Sequence, residues 1–486
     1  MTSGPAGGGP APIAFLFPAF PNLHQTFVLW EVLALRQRGV SIALFSIKAP
    51  VTTTQQPEAA ALQEEVHYLP PTLSPTVIGA NLATLLRHPG RYLAAVAGVV
   101  RGWWEDRHAG RDYKLKRISE DAPDRERTWT EEVRGRFNRS AFMYLLKSLW
   151  LIPQAVYLGR QLQARGIGRL HAHWASYSAT MALIVHWIFD VPFSFTAHAY
   201  DIYLVPRLLG VKVREAEFTV TCARVNAEFL TSLAGAAAAR RVIVNYHGVS
   251  RERFRPIAAQ PHDMPCIVTC GRLEPYKGHH VLLRAVAALS RPARCIVVGE
   301  GPQRRRLEQL AAELGIRDRV EFTGPLPQSR LAEIYARADL FVLASVIIEV
   351  SGKRDVIPNV LAEAMAMQLP VVASNISGIG ELVSDGVSGR LVPPNDPAAL
   401  AAVIDELLGD VAQRRRLAAN GATAVAQHFD REVNIEELAA LFGRGGGAAE
   451  GGKVDGARPG TEAGGTSGTA AGATGEAEPT ATGRPR

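Results

Sequence analysis

Two cationic side chains five positions apart, Arg272 and Lys277, lie in the segment Gly271-Arg272-Leu273-Glu274-Pro275-Tyr276-Lys277-Gly278. In a bent loop, that spacing lets a guanidinium and an ammonium straddle one polyanion such as a diphosphate. Gly271 permits a tight exit from a preceding strand and Gly278 an unhindered start to a following helix, whose N-terminus adds its own partial positive charge. The plain alternative is a pair of solvated surface charges. A second segment, Asp355-Val356-Ile357-Pro358-Asn359-Val360-Leu361-Ala362-Glu363-Ala364-Met365-Ala366, carries two carboxylates eight positions apart around a Pro-initiated helix. Proline suits a first turn because its missing N–H would be unpaired there anyway. Asp355, in the loop before the helix, can face a sugar's hydroxyls. Glu363, about two turns along, can accept hydrogen bonds from a ribose diol or can simply pair with a neighbouring arginine.

Positioning these loops requires a scaffold of strands that end where helices begin. The apolar residues form short β-like runs alternating with longer helical patterns, the rhythm of a parallel sheet covered on both faces. Ile13–Phe17 reads as a strand, His24–Arg38 as a helix ending at Gly39, and Val40–Ile47 as a second strand. The series restarts with strand candidates at Ile267–Cys270, Cys295–Val298, Val320–Phe322, Leu340–Leu343, Val371–Ala373 and Leu391–Val392. Two Rossmann-like units in tandem follow, with a boundary between Phe254 and Pro265 where Arg-Pro, Gln-Pro and Met-Pro steps interrupt both periodicities. Residues 405–443 are helical in pattern and can cross back onto the first unit. Residues 80–150 break the rhythm: Tyr92–Val100 is apolar, Trp103-Trp104 follows, and a dense charge mixture runs from Glu105 to Arg139. This reads as a helical insertion with a charged loop.

The chain has 486 residues, enough apolar material for two cores. Residues 1–250 hold 26 basic against 18 acidic side chains, a surplus that points to an anionic partner such as a phospholipid surface or a diphosphate-bearing acceptor. Paired tryptophans beside Arg101, Arg107 and Arg111 suit a membrane interface; a helix packed on its own domain is the alternative. Cys222, Cys266, Cys270 and Cys295 include no C-x2-C pair and read as reduced thiols of a cytoplasmic protein. No run of about 20 apolar residues is present, and Met1–Pro12 lacks a signal-peptide pattern. From Arg444 onward, Val454 is the only large apolar residue, so residues 444–486 read as a disordered tail.

The combination resembles the retaining GT-B glycosyltransferases of family 4, the group 1 glycosyltransferases, over about residues 13–443. Besides the Gly-Arg-Leu and Lys-Gly elements, the likeness rests on Val298-Gly299-Glu300-Gly301-Pro302, Phe322-Thr323-Gly324, Ala338-Asp339-Leu340-Phe341-Val342, Ser377-Gly378-Ile379, and Asp385-Gly386 with Gly389 and Pro393-Pro394. In the N-terminal half it rests on His171-Ala172-His173-Trp174, Phe195-Thr196-Ala197-His198-Ala199-Tyr200-Asp201 and Asn245-Tyr246-His247-Gly248-Val249. More narrowly, the chain looks like the exopolysaccharide branch that includes colanic-acid-type enzymes.

The resemblance implies that Arg272 and Lys277 bind the donor diphosphate beside Gly271, that Glu363 holds the ribose, and that Asp355 contacts the transferred sugar where a Glu is usual. It implies that His198 lies near the donor sugar and takes part in catalysis, although a structural histidine at a strand end is the alternative. His171 and His173 form an H-x-H pair with no third metal ligand placed by sequence, and no Asp-x-Asp element is present, so no metal and no cofactor is expected beyond a nucleotide diphosphate sugar as donor. Departures from the family pattern are Val356 and Gln368 where Gly is common, Gly380 where Pro is common, and the glycine-free first loop Pro18-Ala19-Phe20-Pro21.

The expected architecture is α/β, GT-B, two Rossmann-like domains facing an interdomain cleft. It comprises a flexible N-terminus (1–12), an acceptor domain (13–256) with a helical insertion at about 80–150, a nucleotide-sugar donor domain (257–443) and the tail. The expected activity is transfer of a hexose to a lipid-linked or growing saccharide, in the cytoplasm or peripherally on the inner face of the plasma membrane, with no nucleic-acid partner. Alternatives are a soluble small-molecule glycosyltransferase and a catalytically degenerate nucleotide-sugar-binding scaffold or sensor. A dehydrogenase is disfavoured because no G-x-G-x-x-G follows the first strand.

Overall fold

Strands buried on both faces need apolar runs, and the thirteen strands among the described residues form two all-parallel sheets whose central strands are largely buried while the edge strands are half-buried. The computed structural model describes residues 11–21, 26–50, 57–105, 141–198, 200–203, 208–257, 263–348 and 353–443. Most of the segment 1–12, the charged loop up to Arg139 and the tail 444–486 therefore lie outside the described residues.

The first sheet is built from β1 (Ile13–Ala19), β2 (Ile42–Lys48), β3 (His67–Tyr68), β4 (Arg169–His173), β5 (Phe193–Ala197), β6 (Thr219–Thr221) and β7 (Val242–Val244), in the order β3-β2-β1-β4-β5-β6-β7. Helix α1 (Thr26–Gln37) connects β1 to β2 and α2 (Pro57–Glu65) leads to β3. Among the described residues the insertion before β4 comprises three helices, α3 (Pro75–Arg87), α4 (Pro89–Glu105) and α5 (Ala141–Ala164). Ser74 caps α3 by accepting from the Val77 N–H at 3.4 Å, and Pro75 starts it. Four helices follow: α6 (Tyr177–Phe189), α7 (Tyr200–Tyr203), α8 (Leu209–Glu215) and α9 (Arg224–Ala234).

The second sheet contains β8 (Cys266–Cys270), β9 (Arg294–Val298), β10 (Val320–Gly324), β11 (Leu340–Leu343), β12 (Val371–Ser374) and β13 (Arg390–Val392), in the order β10-β9-β8-β11-β12-β13. Its helices are α10 (His279–Ala287), α11 (Arg304–Glu313), α12 (Gln328–Tyr335), α13 (Asn359–Ala366), α14 (Ile379–Leu382), α15 (Pro397–Gly409) and α16 (Val411–His428). In both sheets the strand order reverses in the middle, at β1/β4 and at β8/β11, and ligands of open parallel sheets bind beyond the strand ends at such points.

The last helix, α17 (Arg431–Gly443), leaves the second sheet and packs on the first. Its apolar face, Ile435, Leu438 and Phe442, joins Phe15, Phe17 and Val32 in one core. The Phe442 ring lies 5.3 Å from that of Phe15 and 4.9 Å from the His171 imidazole. Burying such a side chain stabilises by about 1.5–3 kcal/mol, so this helix ties the two sheets together.

Candidate functional site

Arg272 and Lys277 sit in the loop after β8 and His198 directly after β5, Asp355 lies in the segment between β11 and α13, Glu363 is on α13, and His171 and His173 are within β4. Lys277 follows β8, and its ammonium donates to Asp355 Oδ1 at 2.7 Å, while Ser345, two residues past β11, donates to Asp355 Oδ2 at 2.6 Å. Both partners of the ion pair are nearly buried. Burial works to lower the Lys277 ammonium, but Asp355 and Tyr276 beside it outweigh this and hold it above its ordinary value. Arg272 does not share that point: its guanidinium is half exposed and lies 3.3 Å from Glu274, which also takes Lys353 at 2.9 Å.

The glycines divide the steric work differently from the sequence expectation. Gly278 has φ +66°, and a Cβ there would stand 1.7 Å from the Ala344 carbonyl oxygen. Gly271, expected to permit a tight strand exit, has ordinary backbone, and a Cβ on it would meet only the Lys277 stem at 3.4 Å. The close approach belongs instead to Gly299, whose Cβ would lie 2.0 Å from the Gly271 carbonyl oxygen.

Glu363 lies on the fifth residue of α13, little more than one turn from the helix start rather than two, because Pro358 caps the helix from outside it. Its Oε2 is buried without a hydrogen-bond partner, and burial pushes its carboxyl up to about 7, with Arg253 opposing. It lines a cavity between the two sheets whose wall on the first side is Phe27, Trp30 and Glu31 of α1, with His247 and Arg253 between them. The Arg253 guanidinium lies 5.1 Å from the Trp30 ring centre and bonds the Gln328 side chain, so it bridges the two domains.

His198, immediately after β5, is buried, and its Nδ1 is 3.2 Å from Nε2 of His247. Its main chain is pinned on both sides: the N–H donates to Asp201 at 3.1 Å and the carbonyl accepts from Asn226 at 2.5 Å. Burial lowers His198 to about 4, and burial together with His198 lowers His247 to about 3. Both rings are neutral near pH 7, so one N–H serves the shared axis and the tautomer of one ring sets that of the other. His171 spends both ring nitrogens on the hydroxyls of Ser194 (2.8 Å) and Thr196 (3.0 Å) and is structural. Among the described residues no group of three or more His, Cys, Asp or Glu side chains is placed to hold a metal ion.

Sequence reasoning missed the contacts made between domains. Glu381 of α14 accepts from the backbone N–H groups of Arg224 (2.7 Å) and Val225 (3.0 Å) at the start of α9, and from the Tyr246 hydroxyl (2.9 Å). Val356 is buried against Cys222 and Ala223 of the first domain rather than facing open space. Gln368 adopts φ +56°, a backbone that glycine takes without strain, which accounts for the glycine common there. Cys222, Cys266 and Cys295 are buried free thiols and Cys270 is half-buried at the end of β8.

The family described as glycosyl transferases group 1 matches residues 250–424. A D-inositol 3-phosphate glycosyltransferase of Xylanimonas cellulosilytica is 33% identical over 293 residues, which is 54% of this chain and 68% of that protein. The chain belongs to the group 1 glycosyltransferases. As a member of that family it is an enzyme that uses a nucleotide sugar as donor. The putative colanic acid biosynthesis glycosyltransferase WcaL of Salmonella typhimurium is 35% identical over 213 residues, 42% of this chain and 51% of that one. Among solved structures, HepE of Anabaena in complex with UDP aligns with a TM-score of 0.61 at 18% identity, covering 89% of this chain and 99% of that one, which shows the shared GT-B fold.

The buried ionisable groups of this glycosyltransferase make its stability depend on pH from both sides. Glu363 and Glu31, raised by burial to about 7 and about 8, hold protons in the native state that an unfolded chain releases above about 4.5, so their contribution to stability declines from there and is lost as pH passes through 7 to 8. The histidines run the other way. His171, His198, His247, His279 and His280, lowered mainly by burial to about 3, 4, 3, 4 and 4, stay neutral where an unfolded chain takes up protons, so stability falls as pH drops below 6.5. Thermal melts should peak near pH ~7, and Glu363→Gln, which removes one carboxyl that opposes the histidines below pH ~7, should steepen the acid limb and move the maximum to higher pH.

Proposed function

We propose that this glycosyltransferase moves a hexose, with retention at the anomeric carbon, from a nucleotide diphosphate sugar to a lipid-linked or growing saccharide, in the building of an exopolysaccharide or other cell-surface glycan. The observation that carries the donor half is the Lys277–Asp355 contact at the exit of β8, with Ser345 fixing its far side. A charged pair held in a nearly dry cleft has its geometry set before substrate arrives. In this reading the segment 257–443 is the donor domain and 13–256 the acceptor domain.

Breaking the sugar–phosphate bond develops positive charge at the anomeric carbon and negative charge on the departing diphosphate. Lys277 and Arg272 meet the negative end, Lys277 from a fixed position and the half-exposed Arg272 by swinging onto the ligand. Asp355 orders Lys277 and presents its carboxylate to the transferred sugar, Glu363 accepts from the ribose diol, and His198, its tautomer set by His247, faces the donor sugar. A preorganised donor aimed at developing charge contributes about 3–4 kcal/mol.

The acceptor half rests on the insertion. Helices α3, α4 and α5 each carry one exposed apolar stripe: Ile78, Leu82 and Leu86 on α3, Leu93, Val100 and Trp104 on α4, and Phe142, Leu146 and Trp150 on α5. Leu86 is 84% exposed and Trp150 57%, unusual for side chains of this size. Around them the three helices carry Arg87, Arg91, Arg101, Lys147 and Arg160 against the single acid Glu105. Apolar stripes within a cationic field fit an anionic bilayer surface and support a peripheral position on the inner face of the plasma membrane. No helix among the described residues is long and apolar enough to cross a membrane.

Two measurements test this. Thermal shift with uridine, guanosine, adenosine and thymidine diphosphates should identify one that stabilises the protein, and product analysis with its sugars and extracted lipid should show transfer; no response to any of the four defeats the donor assignment. Sedimentation with phosphatidylcholine vesicles containing phosphatidylglycerol should pull down the wild type at low salt and release it as salt rises, with Leu86→Asp and Trp150→Asp weakening the binding. Absence of binding at low salt would favour a soluble small acceptor, the class of substrate named for the inositol-phosphate relative.

A further inference from the structure

The cavity between α1 and α13 is lined by two acidic residues, one from each domain: Glu363, to which the donor reading gives the ribose, and Glu31, which no role so far uses. Glu31 sits among the buried residues Val28, Leu29, Val32 and Leu35 of α1, a helix face where an apolar side chain would pack without cost. It is only 8% exposed, and its Oε1 has no hydrogen-bond partner. Nε2 of His173 lies 3.4 Å from that oxygen but is not aligned for a hydrogen bond, and both ring nitrogens of His173 are themselves unpartnered. A buried polar atom left unsatisfied requires an explanation, and one on a residue that lines a cavity can be completed by a bound ligand.

The surroundings narrow the ligand. His173 lies parallel to His198 (6.3 Å between ring centres, 15° between planes), and His198 is stacked on His247 (5.2 Å, 19°), so a file of imidazoles runs from Glu31 back to the cavity wall at His247. Phe27 and Trp30 supply an aromatic wall beside Glu31. Aromatic faces and a carboxyl able to accept or donate are the common means of holding a sugar ring and its hydroxyls. Burial keeps the Glu31 carboxyl protonated up to about 8, which suits a hydroxyl better than a cation.

We infer that Glu31 is a ligand-binding residue of the cleft: its carboxyl takes a hydroxyl of a sugar ring, from the first domain, opposite Glu363 on the second. The hydroxyl belongs either to the ribose or sugar of the donor or to the saccharide acceptor. The inference rests on the donor-site reading of Glu363.

Glu31→Leu and Glu31→Gln in the full chain test it. A ligand-binding role predicts that Glu31→Leu melts no lower than wild type, since an unpartnered buried carboxyl is replaced by an apolar group, yet loses about tenfold in affinity or acceptor KM, the worth of one such hydrogen bond. Glu31→Gln, which keeps a donor and an acceptor, should recover part of that loss. Titration with whichever of the four nucleoside diphosphates binds, with its 2′- and 3′-deoxy forms and with its nucleotide sugars, reads the donor arm. A loss confined to the hydroxylated ligand places the contact on the donor; unchanged donor affinity with a raised acceptor KM places it on the acceptor. A Glu31→Leu protein that melts lower and keeps both parameters overturns the inference and makes Glu31 a structural partner of His173. Failure of the wild type to bind any of the four nucleotides is a different result, since it defeats the donor-site reading and this inference together.

Discussion

Lys277→Met should lower kcat/KM by about 100- to 1,000-fold, the loss expected when one preorganised charge is withdrawn from a developing oxyanion. The sequence suggests that such a change harms turnover more than folding; the structure adds a second cost. Lys277 is the partner of a nearly buried Asp355, and removing it leaves that carboxylate with Ser345 as its remaining hydrogen-bond donor among the described residues. Breaking a buried pair in this way destabilises by about 3–5 kcal/mol. Activity and stability are separable with the double variant Lys277→Met/Asp355→Asn, which removes the stranded charge. Its melting temperature should return towards that of wild type while kcat/KM stays low. A single variant that keeps kcat/KM within about fivefold of wild type would mean that Lys277 is only a structural cation.

Gly278→Ala should be the most damaging of the small substitutions. The residue has a left-handed backbone, and its new methyl would meet the Ala344 carbonyl oxygen at 1.7 Å. That oxygen belongs to the chain just beyond β11, so neither partner is a flexible side chain that can step aside. Relief requires β11 and α10 to separate, at a cost of about 3 kcal/mol or more, or roughly 6–12 °C in Tm. The displaced segment carries Ser345, so the Asp355–Lys277 geometry should loosen and activity fall with stability. Gly271→Ala is the control: with ordinary backbone and only the Lys277 stem at 3.4 Å, it should shift Tm little. Equal melting of the two variants would refute the steric account.

Within each domain, much of the fold was legible because parallel strands covered on both faces need continuous apolar runs. The expected strand at Leu340–Leu343 has the observed bounds, and those at Ile267–Cys270 and Cys295–Val298 differ by one residue. The second strand begins at Ile42 rather than Val40, because Gly39 takes a left-handed turn and the chain needs two residues to rejoin the sheet. The loop positions of Arg272 and Lys277 after β8 and of Asp355 before α13 were legible for a related reason: the strand end and the helix start that place them are local. The H-x-H pair was not. His171 faces hydroxyls on β5 and His173 faces Glu31 on α1, and which way each ring meets its neighbours depends on sheet order, which local pattern does not encode.

By itself, the amino-acid sequence determined the two α/β units, the loops that carry cations and carboxylates, and the family likeness, since all of these are written in residues near one another along the chain. Tertiary structure alone decided that Asp355 orders Lys277, that Val356 meets Cys222 across the domains, that Glu381 caps α9, and that the last helix returns to Phe15. It also left Glu31 lining the same cavity as Glu363 with its Oε1 unpartnered. The physical reason is common to all of them: a hydrogen bond or a desolvated charge is set by what a distant segment brings within a few ångströms, and that proximity arises only when both sheets and the helix crossing between them are in place.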